Sequence, residues 1–193
     1  MSSYMILIII LIILESSQMG RPWIAFFSQT GSEIVDIIAR LGKTPDLIIT
    51  NHRPSDKREV NKNLPYYSEI ANKPDLKQLE FPCGLFENPI ITLHGWLRIM
   101  PPEICNRYEI YNGHPGLITK YPELKGKDPQ MRAWEGNYEF CGSVLHRVTE
   151  GVDEGEIINT GTFTKEGLDI NNYFHILRET SLNLWIEFLR EKL

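Results

Sequence analysis

Two polar side chains in the segment "YNGHP", residues 111–115, have the types and the spacing to act on one atom of a substrate. Asn112 and His114 alternate along the chain, so an extended strand would direct both side chains to the same face. Pro115 disfavours a helical conformation at His114 and so favours that strand. A carboxamide and an imidazole placed together can donate hydrogen bonds to an oxygen that gains negative charge during a reaction. Taken alone, a strand histidine is more often structural than catalytic.

Two further loops carry candidate residues. The loop "SQTGSE" places Gly31 and Ser32 at the start of a predicted helix, where free N–H groups and the helix dipole favour an anion such as phosphate. A serine at that position is more often a simple cap. Asp153 lies in the glycine-flanked turn "TEGVDEGEII", where an aspartate usually binds nearby backbone. Because ligands of open α/β sheets bind beyond the carboxyl ends of the strands, we expect all three loops to meet there.

The order of apolar runs and turns predicts the sheet that must position these loops. The run "WIAFF", the helical spacing of "EIVDIIARLG" and the run "DLIIT" form a strand–helix–strand unit, the start of a parallel sheet. The later runs "CGSVLHRVT" and "GEIINTGTFT" alternate as an antiparallel pair does. We therefore expect an α/β fold: a single-domain open mixed sheet, Rossmann-like and parallel at its start, with an antiparallel later edge.

The remaining elements are less evenly determined. "IITLH" and "EIYNGHP" predict two central strands, and "PPEICNRY" and "DPQMRAWEG" predict helices with proline near their starts. Residues 51–75 are polar and predict at most a short strand near "YYSEI", with a short helix at "DLKQLEF". The C-terminal segment is amphipathic. The apolar residues expected to cover the sheet are Phe174, Leu177, Leu184, Trp185, Phe188 and Leu189.

Composition narrows the class of protein. The 193 residues are 42% hydrophobic and 23% charged, with a net charge of -5, which argues against a general electrostatic grip on nucleic acid. The three cysteines are odd in number and lack metal-ligand spacing, so we expect free thiols, a cytoplasmic location and no metal site.

An apolar N-terminal run stands apart from this pattern. Residues 5–14, "MILIIILIIL", are fewer than the roughly 20 that a membrane-spanning helix needs, and no Lys or Arg precedes them. Three interpretations remain: a membrane-surface or export segment, an additional buried element, or an upstream extension of the reading frame. The last is favoured, because Met19 directly precedes the first predicted strand and turn. We expect residues 1–18 to be an extension without stable membrane insertion, and residues 19–193 to be the folded domain.

The central segments carry a family resemblance. "LHGWLRIMPPEICNRYEIYNGHPGLITKYPELKG", followed by "CGSVLHRVTEGVDEGEII", resembles the folate-dependent formyltransferases, which include glycinamide ribonucleotide transformylase and the matching domains of methionyl-tRNA and nucleotide-sugar formyltransferases. The resemblance runs from about Trp23 to the C-terminus and is strongest from Ile90 to Ile158. The resemblance implies that residues 19–193 form a formyltransferase catalytic domain.

The resemblance implies a reaction and roles for the three polar residues. 10-Formyltetrahydrofolate would present its formyl group to an amine, and Asn112 and a cationic His114 would donate hydrogen bonds to the oxygen as it gains charge. Asp153 would raise the pKa of His114 and help to move the proton that leaves the amine. Asn112, His114 and Asp153 are therefore the expected catalytic residues.

Further binding roles follow from the resemblance. It implies that Leu97, Arg98, Ile99, Met100 and Val152 hold the folate, and that Gly31, Ser32 and Glu179 bind the substrate. A buried strand end equally fits Leu97, Ile99 and Met100. Two loops depart from the family pattern: "HPGLIT" lacks the usual serine and final proline, and "SQTGS" keeps only Gly31 of a glycine-rich loop.

The expected function is transfer of a formyl group from 10-formyltetrahydrofolate to a small amine such as glycinamide ribonucleotide. A nucleotide-sugar formyltransferase remains an alternative. A methionyl-tRNA formyltransferase is a further alternative. It is less expected, because the sequence shows no second domain and no basic face for tRNA. Hydrolysis of the formyl-folate is a further option, although the usual preceding regulatory domain is missing. A non-catalytic folate- or nucleotide-binding module is the alternative outside enzymes. The oligomeric state is left open.

Overall fold

The fold is built on one seven-stranded sheet. A computed structural model describes residues 20–53, 55, 56 and 58–193. The strands are β1 (Trp23–Phe27), β2 (Leu47–Thr50), β3 (Ser68–Glu69), β4 (Ile90–His94), β5 (Glu109–His114), β6 (Phe140–Arg147) and β7 (Ile157–Thr164). Their spatial order is β3-β2-β1-β4-β5-β6-β7. The first five pair in parallel, and β6 and β7 join them antiparallel, which confirms the predicted fold class.

Helices cover both faces of this sheet. They are α1 (Ser32–Leu41), α2 (Leu76–Cys83), α3 (Pro102–Arg107), α4 (Pro129–Glu135) and α5 (Ile170–Lys192), with a 3₁₀ turn at Pro122–Leu124. One core lies between the sheet and α1 with α5, and another lies beneath α2 and α3. The central strands β1 and β4 are buried along their whole length, which is why they read as unbroken apolar runs.

The C-terminal helix packs as its amphipathic pattern predicts. Leu177, Leu184, Trp185, Phe188 and Leu189 are buried, and Phe174 is partly buried. No helix among the described ranges 20–53, 55–56 and 58–193 is long and apolar enough to cross a membrane. The apolar run at residues 5–14 and the boundary at residue 18 lie outside the described residues.

Strand β5 separates packing residues from polar ones by its alternation. Tyr111 faces α5, where its ring lies 4.4 Å from that of Phe188. A Cβ at Gly113 would come within 2.8 Å of the Trp185 Nε1 atom, so a glycine lets this helix approach the strand closely. Asn112 and His114 consequently lie on the opposite face, toward the carboxyl edge of the sheet.

Part of the polar segment 51–75 folds back over the start of α1. The Asn61 N–H donates to the Thr30 carbonyl at 2.8 Å, and the Leu64 side chain packs against Gly31. In the described part of this segment, regular structure is limited to the two-residue strand β3, because most of its polar side chains have no apolar face to bury. The segment nevertheless covers a loop that was expected to bind substrate.

Strands β6 and β7 approach each other at a position that requires glycine. A Cβ at Gly142 would lie 2.0 Å from the Gly161 carbonyl oxygen. We expect Gly142→Ala to lower the free energy of unfolding by about 1–3 kcal/mol, since the strands must separate. Urea denaturation measures this loss. Gly84→Ala, whose Cβ would have no contact shorter than 3.3 Å, is the control and should cost less. An unchanged midpoint for Gly142→Ala would contradict the close approach.

Candidate active site

The carboxyl edge of the sheet carries a cleft of about 710 Å³. It opens where β4 and β5 end and where the connection from β6 to β7 passes over them. Eight of the residues singled out from the sequence line it: Leu97, Arg98, Ile99, Met100, Asn112, His114, Val152 and Asp153. A volume of this size lies within the range of small-molecule and cofactor sites.

Asp153 lies between two histidines in the cleft. Its Oδ2 atom is 3.2 Å from the His114 Nδ1 atom, and its Oδ1 atom is 3.4 Å from the His146 Nε2 atom. The side chain is 11% exposed. Burial alone would raise the pKa of Asp153, but the two imidazoles and the Gly126 N–H, which donates to Oδ2 at 2.8 Å, hold it below its ordinary value. The carboxylate is therefore charged at neutral pH.

A strained backbone conformation aims this carboxylate. Asp153 has a φ of 52°, in the left-handed region that non-glycine residues rarely adopt. Aspartate tolerates the region better than most side chains, and such conformations persist where surrounding contacts impose them. The contacts to Gly126, His114 and His146 are those that fix the turn here.

His114 has a partner at each ring nitrogen. Its Nε2 atom lies 2.9 Å from the Leu124 carbonyl oxygen, so Nε2 carries a proton and donates it. The Nδ1 atom then faces Asp153 and the cleft. Burial lowers the pKa of His114 below its ordinary value of 6.5, while Asp153 and the Leu124 carbonyl oppose that effect.

His146 is a member of the cluster that sequence reasoning missed. Its Nε2 atom lies 3.2 Å from the Asn112 Nδ2 atom, and its Nδ1 atom lies 2.9 Å from the Arg147 carbonyl oxygen. The side chain is 3% exposed. One signal existed in the sequence, namely a histidine at the end of an apolar strand. Its significance depends on the register that places His146 opposite Asn112, and the sequence does not show that register.

The predicted folate-binding residues form one wall of the cleft. Leu97, Ile99 and Val152 are exposed apolar side chains at its mouth, whereas Met100 is buried. Arg98 turns away from the apolar wall, since its guanidinium donates to the backbone carbonyl and the side-chain oxygen of Asn72 at 2.8 and 2.7 Å. Large exposed apolar residues grouped at a cleft are typical of a ligand-binding surface.

Gly31 and Ser32 do not line this cleft. Gly31 has a φ of 70° and is buried against Leu64, and the Ser32 hydroxyl accepts a hydrogen bond from Asn61 at 3.2 Å. Both residues start α1 as expected, but the segment after β2 covers them. The geometry does not present the expected phosphate loop to a ligand.

Glu179 also lies apart from the cleft. Its carboxylate forms an ion pair with Arg40, which lies in the last turn of α1; the distance from Glu179 Oε1 to Arg40 Nη2 is 2.6 Å. Position on the last helix was inferred correctly, but α5 presents Glu179 to the surface of α1 rather than to β5. The structure therefore separates this residue from Asn112, His114 and Asp153.

Asp153 should control the titration of His114. In Asp153→Asn, loss of the carboxylate removes the charge that opposes burial, so the pKa of His114 should fall further below 6.5. NMR titration of the imidazole proton shifts against pH gives the pKa of His114 in the wild-type protein and in Asp153→Asn. The His114 signals are assigned as those that disappear when His114 is substituted. A pKa of His114 that rises in Asp153→Asn would contradict the contact.

Comparison with known proteins places this architecture. The family model described as formyl transferase matches residues 24–163. A formyltetrahydrofolate deformylase of Bacillus subtilis is 28% identical over 67% of this chain and 42% of its own length. A phosphoribosylglycinamide formyltransferase of Escherichia coli is 30% identical over 42% of this chain and 38% of its own length. The matches thus span about two fifths of these relatives.

Solved structures share the fold. The phosphoribosylglycinamide formyltransferase of Campylobacter jejuni superposes with a TM-score of 0.74 at 20% identity, covering 90% of this chain and 97% of the other. A formyltetrahydrofolate deformylase of Pseudomonas syringae gives a TM-score of 0.72 at 19% identity, covering 90% and 61%. The formyl donor associated with this family is 10-formyltetrahydrofolate. The match to its model over residues 24–163 makes this chain a member of the formyl transferase family.

Proposed function

We propose that this protein transfers the formyl group of 10-formyltetrahydrofolate to the amine of a small molecule. The observation that carries the proposal is the buried carboxylate of Asp153 between His114 and His146, with Asn112 beside it, in a cleft with an apolar mouth. The cleft offers Leu97, Ile99, Met100 and Val152 as walls for the folate ring. Its polar end offers hydrogen-bond donors and a charged base within reach of one another.

Asn112 and His114 are proposed to act on the formyl oxygen. As the amine nitrogen bonds to the formyl carbon, that oxygen gains negative charge, and fixed donors stabilise it without reorganisation. Since His114 Nε2 donates to Leu124, the donor to the oxygen is the Nδ1–H of the imidazolium, the form that Asp153 stabilises. Asn112 supplies a second donor through the Nδ2 hydrogen that is not directed to His146.

Asp153 is proposed to act as the general base of the reaction. Its low pKa leaves it ionised, so it can accept the proton that the attacking amine loses, directly or through a water molecule. When the bond between the formyl carbon and the folate nitrogen breaks, that nitrogen takes a proton back. The charge of Asp153 also stabilises an imidazolium at His114, which burial alone disfavours.

The acceptor is proposed to be recognised away from the start of α1. Gly31 is covered by Leu64, and the first turn of α1 carries Glu33, whose negative charge opposes an anion there. A glycinamide ribonucleotide-like acceptor would therefore need another contact for its phosphate. Arg58 and Lys127 line the cleft as cations, which makes its rim the alternative place.

Hydrolysis of the formyl-folate is the second candidate function. It is supported by the match of this chain to the Bacillus subtilis deformylase, which is 28% identical over 67% of this chain. In that reaction Asp153 would accept a proton from water in place of an amine. Hydrolysis yields free formate, whereas transfer yields a formamide. Product analysis therefore separates the two functions.

The test is incubation of the purified protein with 10-formyltetrahydrofolate and a panel of amines: glycinamide ribonucleotide, its unphosphorylated riboside and aminosugars. Tetrahydrofolate formation is followed by absorbance, and the products are identified by mass spectrometry. We expect amine-dependent turnover and a formamide. His114→Ala should lower kcat by about 100-fold or more, because an oxyanion donor is lost. His175→Ala, at an exposed histidine of α5, is the control. Release of formate at a rate that no amine in the panel changes, without formation of a formamide, would contradict the transferase proposal.

Asp153→Asn should separate rate from affinity. We expect kcat to fall by about 100-fold or more, while the Kd for folate changes little, because the carboxylate acts on a proton rather than on the folate ring. Pre-steady-state kinetics and fluorescence titration with folate give the two quantities. Glu154→Gln removes the neighbouring exposed carboxylate and serves as the control. Equal losses in kcat and affinity would argue that Asp153 only shapes the folate site.

A further inference from the structure

One arginine holds the loop that contacts both reactive side chains. The Arg132 guanidinium, on α4, donates to the Leu124 carbonyl at 3.1 Å, to the Lys125 carbonyl at 2.7 Å and to the Lys127 carbonyl at 3.1 Å. It also donates to the carbonyl of Glu123. Four main-chain oxygens of one short segment, residues 123–127, therefore converge on a single planar cation, an arrangement that the guanidinium fork suits and an ammonium does not.

The same segment supplies two contacts to the proposed active site. The Leu124 carbonyl accepts from His114 Nε2 at 2.9 Å while it accepts from Arg132. Two residues later the Gly126 N–H donates to Asp153 Oδ2 at 2.8 Å. Each member of the His114–Asp153 pair is thus fixed by one backbone group of the segment that Arg132 holds.

Little regular structure would keep this segment in place without Arg132. After the 3₁₀ turn, Gly126 has a φ of 83° and Asp128 a φ of 50°, both in the left-handed region. In the described part of the chain, no other residue donates a hydrogen bond to the carbonyls of Glu123, Lys125 or Lys127. For a non-glycine residue such as Asp128, this conformation persists only when contacts impose it.

We propose that Arg132 is a positioning residue for the reaction: through residues 123–127 it presents the Leu124 carbonyl to His114 and the Gly126 N–H to Asp153. This role rests on the proposed function for its kinetic consequence, but not for its structural one. Arg132 reaches His114 through the Leu124 carbonyl, and acts by fixing which nitrogen faces the cleft.

The charge of Arg132 can be separated from its fork. Three groups face His114 from the elements around it: Asp153, His146 and Arg132. The charge of Arg132 contributes to lowering the pKa of His114, after burial. Arg132→Lys keeps that charge but loses the planar fork, and Arg132→Gln loses both. Similar effects of the two substitutions would identify the fork as the feature that matters.

The first measurement needs no turnover. In the free protein, proton–nitrogen NMR of the histidine side chains should show a protected Nε2–H signal for His114, because that proton is donated to Leu124. We expect the signal to weaken or disappear in Arg132→Lys and Arg132→Gln. Lys165→Gln is the matched control: Lys165 donates to the carbonyls of Ala133, Trp134 and Gly136 at the other end of α4. It should lower the thermal midpoint and leave the signal intact.

The second measurement is kinetic. Both Arg132 variants should lower kcat by about 10- to 100-fold, because a displacement of a reacting group by about 1 Å is enough to slow a reaction to that extent. The Kd for folate should stay within about twofold. Lys165→Gln should retain kcat. Arg132 variants that lose only stability, with an intact Nε2–H signal and normal kcat, would overturn the proposal. If the wild-type protein turned over no substrate, the proposed function would fail, and the NMR comparison would still decide the role of Arg132.

Discussion

The buried carboxylate of Asp153 is the constraint on which the site depends. A charge removed from water is costly unless it is paired and hydrogen-bonded. Here the Gly126 N–H donates to the carboxylate, and two imidazoles lie within 3.4 Å of it and pair with it when they are protonated. These partners come from β5, β6 and the loop before α4. The charge can therefore be tolerated only when these elements are docked together, so the chemistry of the site and the integrity of this edge of the sheet are coupled.

Each imidazole in this cluster is oriented from behind by a main-chain carbonyl. Leu124 does this for His114, and Arg147 does it for His146. Such contacts fix one proton on Nε2 of His114 and on Nδ1 of His146, so the nitrogen that faces the carboxylate donates to it only when the ring takes up a second proton. For His114 the arrangement includes Arg132, so the ordering extends from the proposed catalytic residues into α4.

The fold matches that of solved formyltransferases, while the surroundings of α1 differ from the expectation based on the family. The segment after β2 packs Leu64 on Gly31 and Asn61 on Ser32, and Glu33 adds a negative charge beside them. The start of α1 thus lies outside the cleft that holds Asn112, His114 and Asp153.

Strong local patterns determined much of this protein. Unbroken apolar runs gave β1 and β4, alternation gave β6 and β7, and the spacing of Asn112 and His114 placed both on one face of β5. Contacts between segments distant in the chain are visible only in the tertiary structure. One is the register that places His146 opposite Asn112. Others are the ion pair between Glu179 and Arg40 and the packing of Leu64 over Gly31. The physical reason is that periodicity reports only which face of an element is buried. Which polar groups meet at the carboxyl edge of the sheet depends on how whole elements are placed relative to one another, and the packing of all three hydrophobic cores decides that placement.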